Sequence, residues 1–368
     1  MNPFGILPMM RYIIPLFQKA STFVYTIHIK GFYDFHNAAT QVNLDECNSV
    51  GALNNQSRWR RFRKYTRAIY FLFRHMIWNK KSRYYFIDYQ LLAFGLWIKK
   101  YWRRNSHIIY HQFELFDPSQ FNGLTRKLQL SVLRNARYID CIIFPEVNRM
   151  DYFTKASGID PKHTFILPNT NNLHPQKTTR TDDLFEWPSS VIVLGHVGSL
   201  GIAHYVQNYF DYIECSIDPD LRFLFIGSMD NSIKTKVLEL KEKDHRIIYI
   251  PELPHDELIK YYNRIDIGII LYRGVDLNNE FCAPNKLYEF WAYGIPVVAH
   301  ALKGLKPVFK MDFQGKLIDF EKREQLQSAV NQLKISATNH KDELRQYFQM
   351  TNSFDAYLPA LEAQIESW

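Results

Sequence analysis

The feature that most constrains the fold of this chain is the regular alternation of short apolar runs with longer amphipathic ones. Apolar runs of strand length begin near Phe23, Arg83, His107, Cys141 and Thr164. Between them lie stretches whose apolar residues recur at helical spacing. Strands separated by helices indicate a mostly parallel sheet with helices on both faces. We predict this arrangement for the first half of the chain, with a further strand over GILPMM near the start.

The alternation stops in a polar, proline-containing segment at 169–188 and restarts with VIVLGHVG. A chain of 368 residues suits two α/β domains of about 150–180 residues each. We therefore predict an α/β protein of two Rossmann-like domains that face each other across a cleft. The predicted limits are 1–172 and 173–345, and helices over 346–368 are expected to cross back to the first domain.

Cysteine usage and hydropathy restrict the cellular context. The four cysteines, Cys47, Cys141, Cys215 and Cys282, form no CxxC pair. This spacing argues against a disulfide framework or a zinc site and favours a reducing cytoplasm. No stretch reaches the roughly 18 apolar residues of a membrane span. The N-terminal stretch lacks a basic region and is interrupted by Arg11, so we expect no signal peptide and a soluble or peripheral protein.

Positive charge is concentrated in one segment of the chain. Residues 58–104 contain fourteen Lys or Arg, fifteen aromatic residues and a single acid, Asp88. Rings and cations together suit the interface of an anionic membrane, although the same composition would suit nucleic acid. The plainer interpretation is that the rings pack the core while the cations stay solvated. We favour a membrane-facing segment, and we expect that part of it also packs into the domain.

Four strand ends in the second half carry residues suited to a ligand. Ligands of open α/β sheets bind at the carboxyl ends of the strands. Glycines with free helix amides can receive a phosphate there, although many such turns are glycine-rich for packing alone. The residues concerned are Gly198, Ser199 and Gly201 after one strand, Gly227 after the next, Glu252 after a third, and the segment 282–289.

The segment EFCAPNKLYEFWAYGIPVVAH gives the most informative of these ends. Pro284 stands where a helix could begin, and the helix is predicted to end at Gly294. Lys286 in the first turn conflicts with the helix dipole, and a bound anion would remove that conflict. Glu289, one turn later than Asn285, could accept hydrogen bonds from ribose hydroxyls. The plainer alternative is an ordinary surface Lys–Glu pair.

This segment resembles the donor-binding signature of retaining GT-B glycosyltransferases, Pro-x-Lys-Leu-x-Glu-x-x-Ala-x-Gly-x-Pro-Val. The resemblance covers about 190–335 and implies a GT-B fold whose second domain binds a nucleotide sugar and whose first domain binds the acceptor. The matching positions are Pro284, Lys286, Leu287, Glu289, Ala292, Gly294, Pro296 and Val297.

The resemblance implies roles for the matching residues. Gly198, Ser199 and Gly201 would approach the donor phosphates. Lys286 would neutralise the pyrophosphate, and Glu289 would hold the ribose. The backbone at Cys282, Ala283 and Pro284 would face the donor sugar and phosphate, and Asn285 and Leu287 belong to the same segment. The strand ends add Gly227 and Glu252 as candidates, for which an ordinary turn and a helix cap are the plainer interpretations.

Two departures from the family pattern concern charge. Many relatives have another glutamate eight residues before the one that matches Glu289. This chain has Phe281 at that position, and its nearest acid, Glu280, is one residue off. Many relatives also carry an Arg and a Lys soon after the glycine turn, which IAHYVQNYF lacks. Arg273 is our candidate for a second positive charge in the donor site.

The first domain offers His111 and Glu114, at the end of a predicted strand, as residues that could orient the acceptor hydroxyl. A charged loop that caps the next helix is the plainer interpretation. With Lys286, these two residues form our predicted catalytic set. The resemblance implies retention of configuration, with the leaving phosphate taking the acceptor proton, and no metal or other cofactor. Asp218 and Asp220 form an Asp-x-Asp match, which we interpret as a turn.

The resemblance, taken together with the basic segment, implies a hexosyltransferase-type enzyme at the cytoplasmic face of the cell membrane. Its expected partners are a nucleotide-sugar donor, a lipid-linked or polysaccharide acceptor and an anionic membrane surface. Its expected role is in lipopolysaccharide, capsule or exopolysaccharide synthesis. The alternatives are a GT-B nucleotide-sugar epimerase and a non-enzymatic basic nucleic-acid-binding protein.

Overall fold

The computed structural model describes residues 9–16, 23–29, 40–47, 57–78, 83–87, 89–103, 105–115, 117–159, 164–175, 185, 187–188, 190–253 and 255–366. The chain divides into two compact units. Unit 1 comprises Met1–Asn169 and Tyr357–Trp368, and unit 2 comprises Thr170–Ala356. Much of the predicted linker lies outside the described residues.

Unit 1 is an α/β unit built on a four-stranded parallel sheet. Its elements are α1 (Met10–Leu16), β1 (Phe23–Ile29), β2 (Thr40–Cys47), α2 (Arg58–Trp78), β3 (Arg83–Phe86), α3 (Tyr89–Tyr101), β4 (His107–His111), α4 (Gly123–Asn135), β5 (Cys141–Phe144), α5 (Val147–Ser157) and β6 (Thr164–Ile166). The sheet has the order β3-β4-β5-β6, and β1 and β2 form a separate parallel pair. Apolar side chains of α2, α3 and α5 pack on the four-stranded sheet, among them Met76, Leu92 and Phe153.

Unit 2 contains a six-stranded parallel sheet. Its elements are β7 (Ile192–Val197), α6 (Val206–Cys215), β8 (Leu221–Ile226), α7 (Asn231–Lys243), β9 (Ile247–Ile250), α8 (His255–Tyr262), β10 (Ile267–Ile270), α9 (Leu277–Glu280), α10 (Asn285–Ala292), β11 (Val297–His300), β12 (Gly315–Ile318), α11 (Arg323–Asn339) and α12 (Lys341–Thr351). The last helix, α13 (Phe354–Glu366), begins in unit 2 and continues in unit 1.

The strand order in unit 2 is β12-β11-β10-β7-β8-β9, all parallel. This is the order 6-5-4-1-2-3 of a Rossmann fold, in which the direction of winding reverses between the first and fourth strands. Here the reversal lies between β7 and β10. A ligand is therefore expected beyond the carboxyl ends of these two strands.

Both faces of the unit 2 sheet are covered by apolar side chains, as a parallel sheet requires. Successive residues of β7 point to opposite faces, so Leu194 packs in one cluster and Val193 and Val197 in the other. The second cluster holds most of α10, including the fully buried Trp291. The helix that carries the predicted signature is thus part of the core.

Most of the predicted elements are present. Gly158 and Gly294, the predicted helix ends, have φ of 68° and 70°, the left-handed conformation that glycine adopts at a helix terminus. The predicted first strand is wrong at its described end, because Met9 lies in a turn and Met10 begins α1. Strand β2 was not predicted. Among the described helices, none combines the length and the apolar character needed to cross a membrane.

Candidate functional site

The residues predicted to bind the donor lie in the segments that follow the strands of unit 2, at their carboxyl ends. Gly198, Ser199 and Gly201 follow β7, Gly227 follows β8, and Glu252 follows β9. Arg273 follows β10, and the segment from Cys282 to Glu289 enters α10 before β11. Because the strands are parallel, the sheet brings these segments to one edge.

Two glycines shape the turns at the centre of this edge. Gly198 and Gly227 have φ of 129° and 137°, where side chains are strongly disfavoured. The Gly198 amide donates to Ile226 O at 2.8 Å, and the Leu200 amide donates to Ser228 O at 2.9 Å. The turns after β7 and β8 are thus held together by their backbones, without side chains between them.

Helix α10 begins at this edge without a side-chain cap. Its N-cap residue is Pro284, whose side chain offers no acceptor; of the first-turn amides, that of Leu287 donates to Pro284 O at 3.2 Å. The Lys286 ammonium lies 2.8 Å from Glu289 Oε2, one turn along the helix. Amides at a helix N-terminus together with a lysine favour an anion, such as a phosphate. This geometry fits the predicted anion-binding role of the α10 N-terminus.

Glu289 is embedded rather than exposed, with 3% of its surface accessible. The Tyr262 hydroxyl, from the end of α8, donates to the same Oε2 that Lys286 contacts. The Tyr262 ring stacks on Tyr293 with centroids 4.8 Å apart. Burial, together with the nearby charge of Glu289, raises the pKa of Tyr293 to about 12. The pair is therefore not the ordinary surface pair of the plainer interpretation, and Glu289 positions Lys286 from within the core.

The segment before α10 is fixed by close backbone packing. Cys282 is buried, and a Cβ at Gly304 would lie 2.4 Å from Cys282 O. Glu280 approaches Gly274 in the same way, with Oε2 2.3 Å from the position of a Cβ there. The Lys303 ammonium lies 3.6 Å from Glu280 Oε1. Glu280, which lies one residue from the position of the family's other glutamate, is therefore ion-paired beside this segment.

Arg273, the candidate second cation, is exposed at the end of β10. Its amide donates to Ala203 O at 3.0 Å, which ties it to the segment that follows the glycine turn. Its guanidinium lies 5.2 Å from the centre of the Tyr205 ring, and His300 packs on the same tyrosine. The structure thus places Arg273 against the start of α6.

His196 was not singled out by the sequence, although it lies two residues before Gly198. Its Nδ1 lies 2.9 Å from Ile269 O on the neighbouring strand β10. Its Nε2 has no hydrogen-bond partner among the described residues. Burial lowers the pKa of His196 to about 4; the nearby backbone groups of Ile269 and Ser199 oppose this, while His204 and Lys286 add to it. The signal in the sequence was one polar residue inside an apolar strand.

The predicted acceptor residues lie at the end of β4 in unit 1. His111 is fully buried, with Nδ1 2.5 Å from the Tyr85 hydroxyl and its ring stacked on Phe113 at 3.9 Å. Burial lowers the pKa of His111 to about 3, so its imidazole is neutral at pH 7. Glu114 is exposed. Asp117, which follows, caps a short 3₁₀ helix by accepting from Ser119 N at 2.9 Å.

Within the described part of the chain, no group of three or more His, Cys, Asp or Glu side chains is placed to hold a metal ion. Asp218 pairs with Lys334, and it accepts from the Asp220 amide at 3.0 Å. Both aspartates precede β8, at the amino edge of the sheet. They form the turn that was predicted for this Asp-x-Asp match.

Comparison with known proteins gives one family match, which covers most of unit 2. Residues 185–350 match the family model for glycosyl transferases group 1. No curated protein matches the sequence significantly.

Similar solved structures extend over the whole chain. HepE from Anabaena, in complex with UDP, has a TM-score of 0.70 at 12% identity and covers 97% of this chain and 95% of its own. Sucrose-phosphate synthase from Thermosynechococcus elongatus has a TM-score of 0.70 at 15% identity, with coverage of 97% and 92%. The lipopolysaccharide outer core galactosyltransferase WaaB has a TM-score of 0.64 at 13% identity and covers 100% of this chain and 97% of its own. The predicted GT-B fold is confirmed, and the family match with these neighbours supports a glycosyltransferase.

Proposed function

We propose that this protein transfers a hexose from a nucleotide-sugar donor to a lipid-linked or polysaccharide acceptor at a membrane surface. The observation that carries the proposal is the start of α10, where Lys286 is held by buried Glu289 beside uncapped helix amides. HepE was solved with UDP and with UDP-glucose, which makes UDP-sugars the first donors to test. WaaB and WaaG, both named for lipopolysaccharide synthesis, support a role in making a cell-surface glycan, whether lipopolysaccharide, capsule or exopolysaccharide.

In the proposed reaction, the bond from the anomeric carbon to the diphosphate breaks and a bond to the acceptor oxygen forms. The leaving nucleoside diphosphate gains negative charge, which Lys286 and the amides at the start of α10 stabilise. The acceptor oxygen attacks from the face that the diphosphate leaves and passes its proton to that phosphate, so the configuration is retained. We propose that no metal is required, because Lys286 and the α10 amides stabilise the leaving group. His111 and Glu114 are the residues that we propose to orient the acceptor in unit 1.

The donor site is tested by calorimetry with UDP-glucose, GDP-mannose and ADP-glucose on the wild type and on Lys286→Met. The matched control is Lys334→Met, because Lys334 is equally half-buried and ion-paired but contacts Asp218 before β8. We expect one nucleotide class to bind the wild type and the control, and Lys286→Met to bind at least about tenfold more weakly. A well-folded wild type that binds none of them contradicts the proposal.

The reaction class is tested separately with the donor that binds. A glycosyltransferase releases the nucleoside diphosphate together with a glycosylated acceptor. The epimerase alternative instead converts the nucleotide sugar without needing an acceptor. Product analysis by mass spectrometry, with and without a lipid-linked acceptor extract, distinguishes the two.

The proposed membrane contact rests on the outward face of α2. Four aromatic residues recur on one face at helical spacing and remain exposed although they are large. We call them the aromatic stripe: Trp59 (77% exposed), Phe62 (58%), Tyr70 (60%) and Phe73 (39%). Ala68, on the opposite face, and Met76, on the flank of the helix, are buried. The helix is therefore apolar on the side where a solvated helix is normally polar.

Other rings and arginines extend this face. Trp102, after α3, packs edge-on against Phe73 at 5.4 Å, and Trp97 lies 4.6 Å from Trp102. Beside the aromatic stripe runs a row of exposed arginines at positions 60, 63, 67 and 74. Rings at headgroup depth with adjacent cations fit an anionic bilayer. We therefore propose that this face docks on the inner surface of the cell membrane.

The docking face is tested by co-sedimentation with vesicles of phosphatidylcholine alone or with 30% phosphatidylglycerol, about a typical anionic fraction. The variant is Trp59→Ser/Phe62→Ser, and the control is Ile217→Ser/Ile335→Ser, which removes two exposed apolar side chains from unit 2. We expect binding to anionic vesicles by wild type and control, and its loss in the variant. Tight binding to RNA or DNA without vesicle binding contradicts membrane docking.

A further inference from the structure

His196 occupies the point in unit 2 where an open α/β sheet binds its ligand. It lies near the end of β7, and its Nδ1 is bonded to Ile269 on β10. These are the two strands between which the winding reverses. Two residues later, Gly198 begins the turn that is proposed to receive the donor phosphates. The imidazole thus lies in the wall directly below the proposed phosphate site.

The second nitrogen of the His196 ring, Nε2, is buried. The side chain is only 6% exposed, and Nε2 makes no hydrogen bond to any described residue. A buried nitrogen of this kind is costly unless something pairs with it. The nearby groups are the Ser199 backbone, the ammonium of Lys286 on α10 and the imidazole of His204, which is itself influenced by Asp230. All of them belong to the proposed phosphate site or border it.

Positive charge is scarce beside the glycine turn, and Arg273, the candidate second cation, is exposed and lies over the Tyr205 ring at the start of α6. The segment from Gly198 to Gln207 contains no Lys or Arg, and Lys286 is already paired with Glu289. The diphosphate of a nucleotide sugar brings two negative charges. A fixed cation beside Lys286 would be repelled in the empty site, whereas a histidine can stay neutral there and become charged only when the anion arrives.

We propose that His196 takes up a proton from solvent when the donor diphosphate binds, and that Nε2–H then donates toward the phosphate site. Nδ1 continues to donate to Ile269 O, so the ring keeps its orientation in both states. The proton returns to solvent when the nucleoside diphosphate leaves. His196 is a positioning residue that adjusts the charge of the site, and this inference rests on the proposed donor site.

The electrostatics of the empty site agree with this assignment. Burial lowers the pKa of His196 to about 4, and repulsion from Lys286, and from His204 when that ring is protonated, adds to the effect. The ring is therefore neutral at pH 7 without ligand. An anion next to the imidazolium acts in the opposite direction and raises the pKa. If the bound pKa reaches about 7, donor affinity increases about tenfold from pH 8 to pH 6.

Calorimetry of the three nucleotide sugars at pH 6.5, in two buffers of different ionisation enthalpy, counts the protons taken up. None of the sugar diphosphate diesters titrates in this range, so uptake reports the protein. The variant is His196→Asn, whose amide can keep the bond to Ile269 O. His204→Asn tests whether the neighbouring ring takes up the proton instead. His245→Asn is the control, because His245 precedes β9 at the amino edge of the sheet.

We expect uptake of at least about half a proton by the wild type, His204→Asn and His245→Asn, and none by His196→Asn. The pH dependence of affinity should disappear in His196→Asn, a change that a merely structural role would not produce. Binding without proton uptake, or uptake that survives in His196→Asn, overturns this inference alone. If no nucleotide sugar binds the folded wild type, the proposed function fails together with it.

Discussion

The carbonyl oxygen of Gly198 lies 2.1 Å from the position that a Cβ would occupy at Gly227. Both glycines have φ near 130°, yet nothing lies within 4 Å of a Cβ at Gly198. The two positions therefore share backbone strain but differ in steric contact. The turn after β7 can approach the turn after β8 only because the second residue is glycine.

Alanine at each position separates strain from collision. We expect Gly198→Ala to cost about 1–3 kcal/mol, because only the backbone conformation is unfavourable. Gly227→Ala adds a clash with backbone that cannot move aside, and we expect its unfolding midpoint to fall at least about 5 °C further. Differential scanning fluorimetry without ligand measures both. Equal midpoints for the two variants would show that the turns separate at little cost.

The buried pair of Lys99 and Asp140 in unit 1 should respond unequally to truncation. The Lys99 side chain is 7% exposed and that of Asp140 is 32% exposed, and Asp140 Oδ2 also accepts from the Ile108 amide at 2.6 Å. Asp140→Ala leaves the buried Lys99 ammonium and the Ile108 amide without their acceptor, and we expect the free energy of unfolding to fall by about 3–5 kcal/mol. Lys99→Met leaves the Asp140 carboxylate, which water reaches, so this variant should lose less stability. Thermal midpoints of the two variants test this order.

Buried neutral histidines should make stability fall in mild acid. The pKa of an unfolded histidine is about 6.5, whereas burial lowers those of His111 and His196 to about 3 and about 4. Below pH 6.5 the unfolded chain binds protons that the folded chain does not, so stability decreases as the pH falls toward these values. Above pH 6.5 neither histidine contributes a pH dependence. Each adds a slope of up to about 1.4 kcal/mol per pH unit.

His111→Gln isolates one of these contributions. Between pH 6.5 and 5, where carboxylates contribute little, the unfolding midpoint of this variant should change less with pH than that of the wild type. His174→Gln is the control, because His174 is an exposed histidine. An unchanged slope in His111→Gln would mean that His111 is not buried and neutral in solution.

The fold could be predicted largely because the strand–helix alternation depends on local spacing. The ends of α5 and α10 were also readable, since Gly158 and Gly294 adopt conformations that favour glycine. The separate pair of β1 and β2 was harder to predict. Its second strand, TQVNLDEC, alternates polar and apolar residues but includes three residues that disfavour strands, Asn43, Asp45 and Glu46.

The candidate site could be predicted as a set of positions, but not as a set of contacts. Lys286 and Glu289 are neighbours in sequence, so their pairing was foreseeable. The bond from Tyr262 to Glu289 joins residues 27 positions apart and depends on how α8 packs against α10. His196 was overlooked for the same reason, because its partner Ile269 becomes a neighbour only through the strand order.

The burial of α10 has a consequence for how such proteins can diverge. From Leu287 to Ala292 every side chain of this helix is buried, and Trp291 also donates to Gln314 O at 2.9 Å. A substitution there disturbs folding before it can alter donor preference. Neighbouring turns bear exposed residues such as Ile202 and Val275, which can vary freely. When related proteins evolve a preference for a different donor sugar, we therefore expect the substitutions in these turns, while the α10 sequence stays nearly constant.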